Sequence, residues 1–161
     1  MAHVVRAIVG RREVLEVFQE RVRVAQLVRL QQGFTMVPAT KRVLAQLSRE
    51  HAAVEDVVLD GFEQLNGRLR AALEQLSLTG PVAFIETEYF AGVGSQAAAL
   101  FGGGNLSVVE TSPEEIVPHR QAINIVLREL GVHCSLPGQD EFDAVGLGQF
   151  RDMNEWELSP A

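Results

Sequence analysis

The chain has 161 residues, of which 47% are hydrophobic and 22% charged, and its formal net charge is −7. This composition is typical of one folded domain of ordinary size and excludes an intrinsically disordered chain. The acidic balance argues against a nucleic-acid interface, which needs a basic surface, and no run of about 18 apolar residues indicates a membrane helix.

The predicted elements of the first part of the chain alternate between strand and helix. Residues 3–9 are rich in β-branched side chains and predict a strand, and residues 11–22 carry an apolar stripe at helical spacing. Residues 24–37 predict a second strand with a bulge or bend at Gly33. Thr40 is placed to cap the helix that follows.

The longest predicted helix begins at Asp60. This residue is a good N-cap, and Glu63 stands three positions later, as in a capping box. Gly80 and Pro81 end the helix. Its apolar stripe consists of Phe62, Leu65, Leu69, Leu73 and Leu76.

Three strands and a helix are predicted for the rest of the chain. The strands are residues 82–90, the segment after the glycines at 92–94, and residues 106–110. The helix begins at Pro113 or Pro118 and ends at Gly131, and Trp156 anchors a final helical turn. The order predicts a single α+β domain over residues 1–161, with an antiparallel or mixed sheet of about five strands and helices mainly on one face.

The charge is unevenly distributed along the chain. Residues 1–50 carry nine Lys/Arg and four Asp/Glu, a net charge of +5, whereas residues 51–161 carry five and seventeen, a net charge of −12. The two parts can pack so that their charges intermix on one surface. Alternatively, they can form a polarised surface that steers a charged partner.

The strand pair around residues 82–102 is the strongest candidate site. Side chains alternate along a strand, so Glu86 and Glu88 share a face. With a two-residue turn at Gly92-Val93, Glu88 lies opposite Ala97 and Glu86 opposite Ala99; a shift of one residue places Ala98 and Leu100 there instead. The first register leaves a depression above the alanines, with aromatic flanks. The candidate ligand-binding residues are Glu86, Glu88, Tyr89, Gln96, Phe84 and Phe90.

The chemistry of this depression follows from its two carboxylates. Set about 7 Å apart on one strand, they suit a cation, an amine or general acid–base work, and the aromatic flanks would raise the pKa of one of them. There are two structural alternatives. The alanines let a helix pack closely while both glutamates reach water, or the Ile85/Tyr89 face is the core and the glutamate face is solvated.

Other motifs predict no further chemistry. The acidic segment at 140–143 lacks the spacing of a calcium loop, and the four histidines and Cys134 show no zinc spacing. The glycines at 102–104 lack the Lys-Ser/Thr of a phosphate loop. We therefore predict no metal and no cofactor, and we name no catalytic residue.

The lone Cys134 and the N-terminal sequence bear on the compartment. A single cysteine allows no disulfide within the chain, and the N-terminus has no long apolar core that would indicate a signal peptide. We therefore predict a soluble, cytoplasmic protein.

The segments IETEYFAGVGSQAAALF, INIVLRELGV and DEFDAVGLGQFR lie in the C-terminal half. Together they resemble a pattern found in small bacterial proteins with no assigned function. The resemblance implies a bacterial, cytoplasmic and soluble protein, and it implies nothing about chemistry.

Two hypotheses from different classes follow. The main one is a non-catalytic interaction protein, such as an inhibitor or immunity-type partner of a basic protein, because residues 51–161 are acidic and no motif pairs a nucleophile with a base. The other is a small-molecule-binding protein or enzyme that uses the Glu86/Glu88 depression, which then needs a cavity of about 300 Å³ or more. A homodimer through a sheet edge or the helix from Asp60 is a further option; nucleic acid and membrane are not predicted partners.

Overall fold

The computed structural model describes residues 3–90, 93–113 and 120–157. The strands in these ranges are β1 (His3–Arg11), β2 (Val28–Arg29), β3 (Phe34–Pro38), β4 (Val82–Phe90), β5 (Val93–Gly102) and β6 (Asn105–Pro113). The helices are α1 (Arg12–Arg21), α2 (Lys41–Glu50), α3 (Gly67–Leu76), α4 (Ala122–Leu130), α5 (Glu141–Val145) and α6 (Met153–Glu157), with a 3₁₀ helix at Leu147–Gln149.

All six described strands belong to one sheet. Their order across the sheet is β2-β3-β1-β4-β5-β6, and each neighbouring pair is antiparallel. The predicted α+β class and the antiparallel sheet are confirmed. Since β6 ends the sheet on one side and the two-residue β2 on the other, the central strands are β1 and β4.

Helices cover both faces of the sheet, which corrects the expectation that they lie mainly on one. Helices α1, α2 and α3 pack on one face, and α4, α5 and α6 on the other. The reason is that β4 is apolar on both faces: Phe84 joins the first buried cluster and its neighbour Ile85 joins the second. A strand with two apolar faces needs a layer on each.

Several local predictions are confirmed. The Thr40 side chain accepts a hydrogen bond from the Val43 N–H at 3.2 Å and so caps α2. Gly131 ends α4 with φ of 114°, the left-handed conformation that glycine adopts readily. Trp156 is fully buried in α6, against the second face of the sheet.

Other boundaries differ from the predictions. Residues 24–37 form two strands, because Gln32 and Gly33 both have positive φ and reverse the chain between β2 and β3. Asp60 does not begin a helix. Helix α3 starts at Gly67, capped by the Asn66 side chain, which accepts from the Leu69 N–H at 2.8 Å.

In the described ranges, no helix combines the length and the hydrophobicity that a membrane crossing requires.

Candidate functional site

Strands β4 and β5 form the predicted antiparallel hairpin, in a different register. Glu86 lies opposite Ala97 and Glu88 opposite Ser95, whereas the predicted partners were Ala99 and Ala97, or Leu100 and Ala98. Both predicted registers are therefore wrong. Phe90 pairs with Val93, so the connection comes one residue earlier than the first of them.

Glu86 is buried, with 6% of its surface exposed, and it binds backbone. Its Oε1 accepts a hydrogen bond from the Glu63 N–H at 2.7 Å and its Oε2 one from the Gln64 N–H at 2.9 Å. Burial raises the pKa of Glu86 above its ordinary value, and these two donors and the charge of Arg6 offset part of that rise. Through these two hydrogen bonds, Glu86 holds the loop before α3 against the sheet.

Small residues let this loop approach the sheet. Ala97 lies opposite Glu86, and Thr111 of β6 lies opposite Ala97. Gly61 packs so closely on Thr111 that a Cβ at position 61 would lie 2.5 Å from its methyl group. The alanine therefore makes room for a loop, where the sequence had suggested a depression or a closely packed helix.

Glu88 points to the rim of the same face. Its Oε2 accepts a hydrogen bond from the Arg6 guanidinium at 3.2 Å, and 59% of the Glu88 side chain is exposed. The cavity that both glutamates line, together with Arg6 and Gly61, has a volume of about 40 Å³. This is far below the roughly 300 Å³ of a typical small-molecule pocket.

Two of the other predicted site residues, Phe84 and Gln96, do not line this cavity. Phe84 is fully buried in the first cluster, in contact with Phe62. Gln96 projects from the opposite face, where its Oε1 accepts from the Ile123 N–H at 3.1 Å and so supports the start of α4. The backbones of Tyr89 and Phe90 belong to β4, but their side chains lie outside the described part of the structure.

A second concave feature lies between the loop at residues 54–60 and the first turns of α3. We call it the acidic groove; its volume is about 450 Å³. Val57 and Val58 line it and are 67% and 43% exposed. The loop is held at its base by a hydrogen bond of 2.8 Å from the Leu59 N–H to the Leu65 carbonyl.

The rim of the acidic groove carries excess negative charge. Glu55, Asp60 and Glu74 line it together with a single cation, Arg70, which is bound to Glu74 at 2.8 Å. Glu55 and Asp60 form no ion pair with another described residue. Sequence reasoning missed this groove because residues 60–66 were assigned to a helix; the two adjacent valines in a polar segment were the available signal.

Among the described residues, no three His, Cys, Asp or Glu side chains come together in a metal-binding arrangement. Comparisons of the chain with family models, with curated proteins and with solved structures give no match.

Proposed function

We propose that the chain is a protein-binding module that holds a basic, amphipathic segment of a partner protein in the acidic groove. The observation that carries the proposal is the exposure of Val57 and Val58 between acidic side chains. Exposed apolar patches rimmed by polar groups mark interaction sites. The apolar strip would bury against the partner, and the rim would select its charge.

The sign of the charge supports a basic partner. The residues that line the groove include three carboxylates and one arginine. Arg68 does not line the groove, and its guanidinium forms an ion pair with the Asp56 carboxylate at 3.9 Å. A segment with Lys or Arg flanking an apolar side chain would complement both the strip and the rim.

The hairpin glutamates support a small-molecule function less well. Glu86 already has both oxygens bound by backbone donors, and the cavity beside it is too small for a metabolite. We therefore assign the glutamates to the framework that positions the loop, and the interaction to the groove on the loop's outer side.

The test compares recovery of a partner by the wild-type chain and by groove variants. Immobilised wild type should recover one stoichiometric protein with a basic segment from the lysate of its host. Val57→Lys should abolish that recovery, and so should the double variant Glu55→Lys/Asp60→Lys. Crosslinks from the partner should map to residues 54–60.

Matched controls separate the groove from general surface effects. Leu136→Lys changes an apolar residue that is 64% exposed elsewhere, and Glu129→Lys reverses a charge on α4, on the other face of the sheet. Both should recover the partner as the wild type does. Recovery that survives the groove variants, or repeated recovery of no protein, would overturn the proposal.

A further inference from the structure

A cleft of about 460 Å³ shares no described lining residue with the acidic groove. It is bordered by β1, by the start of α2 and by α6, and we call it the basic cleft. Among the described residues that line it, the charged ones are Arg6, Lys41, Arg42 and Glu157. In a chain whose net charge is −7, these described lining residues therefore sum to a net charge of +2.

Two of the three cations are available to a ligand. Lys41 and Arg42 are exposed and form no ion pair with another described residue. Arg6 donates one hydrogen bond to Glu88, which leaves most of the five N–H donors of its guanidinium. Convergent cations in a concave site favour an anion with more than one oxygen.

The backbone of α2 adds to this positive potential. Thr40 satisfies the N–H of Val43, and the N–H groups of Lys41 and Arg42 precede the first intrahelical hydrogen bond. The helix dipole has its positive end at the same place. The helix terminus strengthens an anion site that the cleft and its side chains already define.

The rest of the lining indicates what the anion is attached to. Gln26, Gln64 and Asn154 place three amide side chains in the cleft. Amide groups both donate to and accept from hydroxyl groups, so a polyhydroxyl ligand would complement these three side chains.

The lining also disfavours a nucleotide. None of the described residues that line the cleft is aromatic, so no ring is present on which a base could stack. We infer that the basic cleft binds a phosphorylated polyhydroxyl compound, of the sugar-phosphate or polyol-phosphate class. Lys41 and Arg42 bind the phosphate, and the amide side chains of the cleft, Gln64 among them, form hydrogen bonds with the hydroxyl groups.

Thermal-shift and calorimetric titrations of the full chain test this assignment. The probes are ribose 5-phosphate, glucose 6-phosphate and glycerol 3-phosphate. Inorganic phosphate and ribose serve as the separate phosphate and sugar parts of the first. At least one phosphate ester should raise Tm and bind more tightly than inorganic phosphate, and ribose should have no effect. If none of the three esters stabilises the chain, or if all bind no better than phosphate, the assignment fails.

Variants divide the site into its two parts. Lys41→Ala and Arg42→Ala should each weaken ester binding about tenfold, because each removes a charge-assisted contact. Gln64→Ala should weaken ester binding but leave inorganic phosphate binding unchanged. Arg49→Ala, in the last turn of α2, is the matched control and should bind like the wild type. Equal affinity in all four variants would also overturn the inference.

The outcome is independent of the proposed function. Val57→Lys lies in the acidic groove and should leave ester binding intact. If the wild type binds an ester but recovers no partner, only the acidic groove is wrongly assigned; if it recovers the partner but binds no ester, only the basic cleft is.

Discussion

Glu86 is a buried carboxylate that acts as a hydrogen-bond acceptor for backbone. Its two oxygens bind the N–H groups of Glu63 and Gln64, in a segment with no regular structure of its own to satisfy them. Gln64 lines the basic cleft, and Asn66, two residues later, caps α3. One side chain of the sheet therefore fixes the loop between the two proposed sites.

Replacing Glu86 should destabilise the protein much more than replacing Glu88. Glu86→Ala leaves two N–H groups without their acceptor, and we expect the free energy of unfolding to fall by about 1–3 kcal/mol. Glu88→Ala removes only an exposed ion pair with Arg6, which is worth about 0–1 kcal/mol. Urea denaturation followed by circular dichroism measures both. Equal losses would contradict the anchoring role of Glu86.

Among the secondary-structure elements, the loop at residues 54–60 packs closely against Gly67, the first residue of α3. A Cβ added to Gly67 would collide with the carbonyl oxygen of Glu55 and lie 3.5 Å from the Val54 side chain. Glycine at this position therefore allows the close approach that forms one wall of the acidic groove. Backbone on both sides of the contact leaves little freedom to adjust.

Gly67→Ala should accordingly destabilise the protein by about 1–3 kcal/mol, as overpacking does. Helix propensity alone predicts the opposite sign, because alanine is favoured over glycine in a helix by up to about 1 kcal/mol. Thermal or urea denaturation decides between the two effects. Gly102→Ala is the control: nothing lies within 4 Å of its added Cβ, so its stability should match the wild type. A stabilised Gly67→Ala variant would show that the loop does not rest on α3.

The elements that were predicted correctly depend on local signals. Thr40 before an amphipathic run and Gly131 after one mark helix ends through contacts within a few residues. The prediction that a helix begins at Asp60 is wrong because another acceptor, distant in the sequence, competes for the N–H groups of that segment. Glu86, more than twenty residues away, binds the N–H groups that a helix from Asp60 would have used. The hairpin was predicted, but the glycines at 92 and 94 indicated a turn at Gly92-Val93 or one residue later, whereas Phe90 pairs with Val93.

The candidate site was predictable only in part, for the same reason. The pairing of Glu86 and Glu88 on one face follows from the alternation of a strand, and the structure agrees. Their partners are not local: Arg6 reaches Glu88 across the β1–β4 pair, and Gln64 reaches Glu86 from a loop. The basic cleft joins residues near both ends of the chain, which no motif could have brought together.

For the whole molecule, the decisive feature is that both helical layers share one sheet. Adjacent residues of β1, such as Ile8 and Val9, belong to different buried clusters. Two hydrogen bonds connect the C-terminal segment to the backbone of β1. The Val4 N–H donates to the Arg151 carbonyl at 2.8 Å, and the Arg6 N–H donates to the Met153 side-chain sulfur at 3.3 Å. Loss of either layer would expose the strands that support the other.

This sharing predicts a single cooperative unfolding transition. Trp156 is the only tryptophan of the chain, and it lies fully buried in the layer formed by α4, α5 and α6. Its ring centroid is 4.9 Å from that of Phe150. Its fluorescence therefore reports on that layer, whereas far-ultraviolet circular dichroism averages over all helices and strands. Because each central strand contributes to both clusters, the two signals should give the same urea midpoint. A fluorescence midpoint at clearly lower urea would mean that the second layer unfolds while the sheet and the first layer persist, and that the strands are stable with one face uncovered.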